Sequence, residues 1–227
     1  MYGLLFQYWW ILLPAILLGT IAQLSVRGTY QKYRQVKTRD RITGAEVARR
    51  ILDEYDLQDV PIETVRGELT DHYDPRSKIL RLSQGVYQGD NIAALGIAAH
   101  ETGHAIQHAR SYFPLAMRGA IYPVASFGSK LGPVIVLGGL LFGFSELLIS
   151  IGIVMFAIAV VFSIITLPVE LNASTNAISV LRRGGFLSES ELSGARSVLN
   201  AAALTYVAAA LASVLTLVRL LLLSRRR

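Results

Sequence analysis

The 227-residue sequence contains no cysteine, so thiolate metal ligands, cysteine nucleophiles and disulfide bonds are excluded. Charged residues are scarce, at 17% of the chain, whereas hydrophobic residues make up 52%. This composition is typical of a protein largely embedded in a membrane. The net charge of +6 arises mostly in segments that flank the apolar runs. It therefore indicates contact with a membrane surface, and no nucleic-acid partner is predicted.

The apolar runs predict about four transmembrane helices in a mainly α membrane protein. Residues 3–25 carry no charge and exceed the roughly 20 residues that span a bilayer, so residues 1–26 are predicted to be an uncleaved anchor. Residues 118–168 predict a transmembrane hairpin that turns at Gly143-Phe144-Ser145-Glu146. The last segment, residues 188–227, predicts an apolar transmembrane helix.

The segment His100-Glu101-Thr102-Gly103-His104 carries the most specific functional information. On a helix, residues four apart lie on the same face, so both imidazoles can reach one metal ion. Zinc favours imidazole ligands and lowers the pKa of a bound water to about 7. Glu101 follows the first histidine directly and can act as the general base. The pattern predicts a zinc peptidase. The alternative, a structural helix in which the HExxH motif occurs by chance, is less favoured.

The polar residues 27–117 predict a small α+β, zincin-like catalytic domain. The HETGH helix is expected to begin after Asp90 or Asn91 and to reach about Arg110. Residues 60–65 predict a strand, and residues 68–73 with 78–83 predict a hairpin. Residues 78–83 are a candidate edge strand for pairing with an extended substrate, with an ordinary sheet strand as the alternative.

The third ligand can be sought by elimination, because no aspartate occurs after Asp90. Glu146 fits the turn of the hairpin, and Glu189 and Glu191 fit the start of the last helix, where Ser188 and Glu191 form a capping box. Glu170 remains, at the start of residues 169–187. We expect it to be the third zinc ligand; the alternative is a plain carboxylate that favours a helix N-terminus.

Other histidines and other zinc schemes fit the sequence less well. The pattern HExxHxxGxxH needs glycine and histidine where the chain has Gln107 and Arg110. His108 shares the face of the zinc pair, and its expected position is beside the metal ligands or on the surface. His72 and Tyr73 are candidates for polarising the substrate oxyanion, although surface or packing roles are the commoner explanation.

These motifs resemble a known family, the neutral zinc metallopeptidases of bacterial membranes (YugP-like), which are related to gluzincins such as the membrane CAAX proteases. The resemblance covers nearly the whole chain and rests on the apolar amino terminus and on residues 71–76, 80–83, 98–105 and 167–174.

That resemblance implies a zinc site at His100, His104 and Glu170, with Glu101 as catalytic base. Gluzincins commonly continue as Glu-x-x-Ala-Asp, and this chain has Ser174 where that aspartate would stand. Asn172 and Ser174 are the candidates to replace its contact with a zinc histidine.

The distribution of basic residues predicts the orientation in the cell membrane. Eight lysines and arginines fall between Arg27 and Arg50, and none precedes Arg27. The positive-inside rule therefore predicts a multi-pass protein whose active site faces the cytoplasm. Four full spans put residues 225–227 outside, against the same rule. Either the first basic segment dominates, or the last helix is tilted or does not cross.

The predicted function is hydrolysis of peptide bonds in peptides or proteins, including membrane proteins. A non-catalytic zinc-binding membrane scaffold or adaptor is the alternative, although retention of metal alone does not require Glu101. A zinc transporter is disfavoured, because the predicted spans carry too few polar residues to line a metal path.

Overall fold

A computed structural model of the chain describes residues 8–142 and 145–225. Its first helical turn, Trp9–Leu12, is a 3-10 helix. The remaining elements, in chain order, are α1 (Leu13–Arg34), α2 (Gly44–Glu54), β1 (Ile62–Val65), β2 (His72–Asp74), β3 (Ile79–Ser83), α3 (Gln84–Tyr87), α4 (Ile92–Ala109), α5 (Phe113–Leu141), α6 (Glu146–Arg183) and α7 (Glu189–Ser224).

Four helical segments of the described chain are long and apolar enough to cross a membrane: Trp9–Arg34, Phe113–Leu141, Glu146–Arg183 and Glu189–Ser224. At 1.5 Å per residue, even the 26-residue segment exceeds a hydrocarbon core of roughly 30 Å. The protein is a mainly α-helical membrane protein with a small α+β part, as the sequence predicts. At the predicted hairpin turn, α5 ends at Leu141 and α6 begins at Glu146. Residues 143–144 of this turn lie outside the described residues, as do residues 1–7 and 226–227 of the predicted terminal segments.

The chain divides into two compact units. We call the first the apolar unit; it comprises Met1–Ala22, Pro114–Pro168 and Thr205–Arg227. Glycines bring α5 and α6 close together there: a Cβ added to Gly132 would lie 2.8 Å from the carbonyl oxygen of Gly152. Large apolar side chains such as Phe127 and Val154 point outward, which is the surface that lipid tails require.

The second, the polar unit, comprises Gln23–Phe113 and Val169–Leu204. Helix α2 begins with the predicted capping box, since the hydroxyl of Thr43 accepts from the backbone N–H of Glu46, whose carboxylate accepts from the N–H of Thr43. Helix α4 begins after Asn91, whose side-chain oxygen accepts from the N–H of Ala94 at 3.0 Å. Capping by Asn91 leaves Asp90 to pair with Lys37 and Arg41.

The sheet of the polar unit has the order β1-β3-β2. Strand β3 pairs in parallel with β1, with Ile62 opposite Leu80, and antiparallel with β2, with His72 opposite Arg81. The prediction that residues 78–83 form an edge strand is therefore wrong, because β3 is the central strand and its Leu80 and Leu82 are buried. The edge strand of the antiparallel pair is β2.

The first strand of the predicted hairpin is also shorter than expected. Residues 68–71 are not extended, since Gly67 and Leu69 have positive φ angles of 107° and 57°. Asp71 closes this loop, because its carboxylate accepts from the backbone N–H of Ser83 at 2.7 Å and from the Ser83 hydroxyl at 3.0 Å. Pairing with β3 begins at His72.

Candidate metal centre

Helix α4 presents His100 and His104 on one face, with ring centroids 4.8 Å apart and ring planes at 86°. Helix α6 brings Glu170 to the same point within the polar unit. One ligand atom from each of the three residues lies within 4.8 Å of the others. Oε2 of Glu170 is 3.3 Å from Nε2 of His100 and 3.6 Å from Nε2 of His104.

This spacing fits a zinc ion chemically and geometrically. Two imidazole nitrogens and one carboxylate oxygen are a common ligand set for catalytic zinc. A tetrahedral ion with bonds of about 2.0–2.1 Å separates its ligand atoms by about 3.3–3.4 Å, close to the two observed distances. Both histidine side chains are 12% exposed and that of Glu170 is 3% exposed, so the three candidate ligands are largely shielded from solvent.

The close approach of α4 and α6 depends on small residues. A Cβ added to Gly103 would lie 3.1 Å from the carbonyl oxygen of Ala173, which is tighter than ordinary van der Waals contact. On α6, Ala173 and Ala177 are fully buried one and two turns after Glu170. Glycine within the HETGH segment therefore lets α6 come near enough for Glu170 to meet both imidazoles.

The second nitrogen of each histidine has a partner of its own. Nδ1 of His100 lies 3.1 Å from the hydroxyl oxygen of Ser174. Nδ1 of His104 lies 3.0 Å from the side-chain oxygen of Gln107. These contacts leave both Nε2 atoms facing Glu170, and such outer partners commonly fix the orientation of metal-binding imidazoles.

Gln107 links the face of α4 that carries His100 and His104 to α6. Its side-chain nitrogen donates to the carbonyl oxygen of Val169 at 2.9 Å and to Oδ1 of Asn172 at 2.8 Å. Since that nitrogen donates twice, the amide oxygen faces His104, whose Nδ1 must then carry a proton to complete the hydrogen bond. Oδ1 of Asn172 also accepts from Nδ2 of Asn176 at 3.1 Å. Ser174 thus contacts one histidine directly, and Asn172 acts on the other through Gln107.

Glu101 lies beside the cluster and touches strand β2. Its Oε2 accepts from the backbone N–H of Tyr73 at 3.2 Å. Burial raises the pKa of Glu101 above its usual range, against the opposing effect of His100 and His104. This contact ties the carboxylate of Glu101 to the edge strand β2.

The remaining predicted residues fall into two groups. Tyr73 and His108 pair with each other, since the phenol oxygen is 2.9 Å from Nδ1 of His108 and the rings are 5.8 Å apart. The side chain of His72 is exposed and its Nδ1 lies 2.8 Å from the carbonyl oxygen of Thr70. His72 and His108 are not among the grouped ligand atoms in the part of the chain that the structure describes.

Sequence reasoning missed Gln107, which it used only to exclude a third histidine ligand. A signal was present, because position 107 follows His104 by three residues and so shares its face of the helix. Its contacts with α6 depend on the packing of two segments that are 62 and 65 residues apart in sequence.

Comparison with known proteins places the chain in a family. The family described as "Putative neutral zinc metallopeptidase" matches residues 8–225. A curated relative, "Putative membrane protease YugP" of Bacillus subtilis (strain 168), is 49% identical over 211 residues, which cover 93% of each chain. No solved structure matches. Because the match extends over nearly the whole chain, including α4 and α6, the protein belongs to this family of membrane zinc metallopeptidases.

Proposed function

We propose that the protein is a membrane-integrated zinc peptidase in which His100, His104 and Glu170 hold the metal and Glu101 is the general base. The observation that carries this proposal is the meeting of three ligand atoms within 4.8 Å. It joins the HETGH segment to a glutamate that lies 66 residues after His104 in sequence.

The bound zinc supplies Lewis acidity, which polarises a peptide carbonyl and acidifies water. Glu101 takes the proton from the attacking water and returns it to the nitrogen of the leaving amine. Ser174 and Gln107 orient the imidazoles through their Nδ1 atoms. The backbone N–H of Tyr73 positions the carboxylate of Glu101 through its 3.2 Å contact.

We further propose that an extended substrate pairs with the edge of β2. The strand lies at the edge of the sheet, and its Tyr73 touches Glu101 directly. A peptide added to this edge gains backbone hydrogen bonds and brings one of its carbonyl groups to the catalytic carboxylate. The substrates are peptides or proteins, including membrane proteins, since long apolar helices hold the enzyme at the bilayer.

The orientation in this proposal follows from the basic residues 27–50, which belong to the polar unit that carries the metal centre. The positive-inside rule puts this unit on the cytoplasmic side. Labelling of single cysteines introduced into the naturally cysteine-free chain tests the orientation. Protection of a cysteine at exposed Glu54 from an impermeant reagent in intact cells supports a cytoplasmic site, and its labelling excludes one.

The test of the catalytic assignment is Glu101→Gln, with Glu54→Gln as a matched control on the exposed face of α2. Zinc per chain is measured by elemental mass spectrometry, and hydrolysis is measured on fluorogenic casein and a quenched peptide library. We expect Glu101→Gln to keep zinc and to lose about 100-fold or more of the hydrolysis rate, the usual scale of general base catalysis. Equal turnover by Glu101→Gln and wild type excludes Glu101 as the base.

The metal assignment is tested separately with Glu170→Ala. One zinc per chain in wild type and a large loss in the variant support the three-residue site, whereas unchanged zinc excludes Glu170 as a ligand. A protein that binds partners identically with Glu or Gln at position 101 and cleaves none of them is a zinc-binding adaptor instead.

A further inference from the structure

The register of the sheet determines which backbone groups of β2 face its open edge. On β3, the backbone N–H of Leu80 donates to the carbonyl oxygen of Pro61 at 3.0 Å, so the backbone of Leu80 faces β1. Tyr73 lies directly opposite Leu80 in the antiparallel pair of β2 and β3. In such a pair, two opposite residues either bond to each other or both face away from each other. The N–H and the carbonyl of Tyr73 therefore face the open edge of β2.

The two neighbours of Tyr73 in the strand face the other way. His72 lies opposite Arg81 on β3. Asp74 lies opposite Ile79 on the same strand. Because these two pairs alternate with the pair that contains Tyr73, their backbone groups are directed at β3. Tyr73 is thus the one residue of β2 whose backbone groups are open to a further strand.

The residues on either side of β2 agree with this alternation. Ser83 follows Arg81 by two residues on β3, so its N–H is directed at the same side of the strand. That N–H donates at 2.7 Å to the carboxylate of Asp71, which lies just before β2 in the chain. Pro75, the residue directly after β2, has no backbone N–H to offer a further strand.

The outward N–H of Tyr73 is already bonded to the proposed general base. Oε2 of Glu101 accepts from it at 3.2 Å, in the place where the carbonyl of a further strand would bond. Among the described residues, no hydrogen bond reaches the carbonyl oxygen of Tyr73. Over residues 72–75, the open edge therefore offers one acceptor and no free donor.

The side chain of Tyr73 holds this carbonyl in a fixed direction. Its phenol oxygen lies 2.9 Å from Nδ1 of His108, which follows Glu101 by seven residues on α4. Seven residues correspond to about 10 Å along a helix. Tyr73 is therefore tied to α4 at two separate points, and rotation about either contact alone is prevented.

We propose that Tyr73 selects an extended substrate through its carbonyl oxygen, which accepts one backbone N–H while Glu101 withholds the donor beside it. This inference rests on the proposed pairing of the substrate with β2, and it names the requirement that the pairing imposes. One residue of the substrate must carry a backbone N–H, so proline at that position is excluded. Ordinary strand addition exchanges hydrogen bonds in both directions. A one-way edge also disfavours pairing of β2 with the edge of another sheet.

The test measures peptide binding separately from hydrolysis, with the full-length Glu101→Gln variant in detergent and in the presence of zinc. Glutamine at this position keeps an oxygen that accepts from the N–H of Tyr73. The probe is a fluorescein-labelled ten-residue casein peptide, together with copies in which each backbone N–H in turn is replaced by an ester oxygen. An ester removes the donor and keeps the shape of the chain. Dissociation constants are measured by fluorescence anisotropy, and thermal unfolding checks that each variant is folded.

We expect one ester to weaken binding by about fivefold or more, the change that corresponds to about 1 kcal/mol for one hydrogen bond. Esters at the other positions should leave binding nearly unchanged. Glu101→Ala frees the N–H of Tyr73 for a second hydrogen bond, so it should bind the unmodified peptide about fivefold more tightly than Glu101→Gln. The matched pair Glu54→Gln and Glu54→Ala, at an exposed position on α2 and each added to Glu101→Gln, should bind the peptide equally.

Three results overturn the proposal. If no ester weakens binding, the protein recognises no single N–H of the peptide. If Glu101→Ala binds no more tightly than Glu101→Gln, Glu101 does not withhold a donor from the edge. If no casein peptide binds at all, the edge of β2 is not a surface for strand pairing. Failure of the peptidase assignment looks different, because wild type then hydrolyses nothing while the ester series and the Glu101→Ala comparison keep their expected results.

Discussion

Replacement of Gln107 tests how strongly the metal centre depends on contacts outside its ligands. The side chain is buried and takes part in three hydrogen bonds, to Nδ1 of His104, the carbonyl oxygen of Val169 and Oδ1 of Asn172. Gln107→Leu keeps most of the volume and removes all three. At about 1 kcal/mol for each buried hydrogen bond, the variant should lose about 2–4 kcal/mol of unfolding free energy.

The same substitution should weaken zinc binding, because Nδ1 of His104 loses the acceptor that fixes the ring. Loss of such an outer partner typically costs 10- to 100-fold in metal affinity, which equals about 1.4–2.8 kcal/mol. Zinc affinity is measured by competition with a chromophoric chelator at fixed pH, and stability by thermal unfolding in detergent. The matched control is Gln84→Leu, at an exposed position on α3.

Gln107→Glu separates the two functions of the amide. A carboxylate still accepts from His104, but it cannot donate to Val169 or Asn172. We expect this variant to bind zinc more tightly than Gln107→Leu while remaining less stable than wild type. The reasoning is refuted if Gln107→Leu binds zinc within about twofold of wild type and unfolds at the same temperature, a change too small for loss of an outer partner.

Two further predictions concern packing and pH. Gly103→Val should press on the backbone of α6 and lower zinc affinity about tenfold or more in the same chelator assay. Its control is Gly96→Ala, whose added Cβ meets only ordinary contacts; this variant should keep zinc and gain up to about 1 kcal/mol of stability from helix propensity. Equal zinc affinity in the two variants would contradict the packing argument. Hydrogen bonds from the Ser77 hydroxyl and the backbone N–H of Arg76 lower the pKa of Asp74 from its ordinary value of 3.8 to about 2. The ionised carboxylate therefore stabilises the fold fully at pH values above 3.8, and this contribution is lost as the pH falls through about 2. Asp74→Asn should therefore unfold at a lower temperature than wild type at pH 6 and converge with it near pH 2; a difference independent of pH would rule out this cause.

The sequence predicted the parts of the site that depend on local spacing. The i, i+4 pair of His100 and His104 follows from helical geometry alone. Elimination of the other acidic residues selected Glu170, which the structure brings to the same cluster. Capping boxes are local in the same sense, and the one at Thr43 is formed by residues three apart.

The features that sequence reasoning got wrong or missed depend on pairing between distant segments. The alternation of Leu80 and Leu82 identifies a strand, but it does not say whether one or both of its edges are paired. Strand β3 became central because β1 pairs with it in parallel, across the loop and β2 that lie between them in the chain. The positive φ of Leu69, which shortens the first hairpin strand, is likewise uncommon for a residue other than glycine.

The proposed metal centre lies at a helix contact whose observed interactions do not require a metal. Helices α4 and α6 are joined by Gln107, by the contact of Ser174 with His100 and by the close approach at Gly103. None of these interactions uses a ligand-to-metal bond, so packing and hydrogen bonds alone hold the three candidate ligand atoms within 4.8 Å of one another. If zinc binds there, we expect its affinity and the stability of the polar unit to be coupled through α6. A change that loosens α6 should then lower both, whereas a change to a ligand atom alone should lower mainly the zinc affinity.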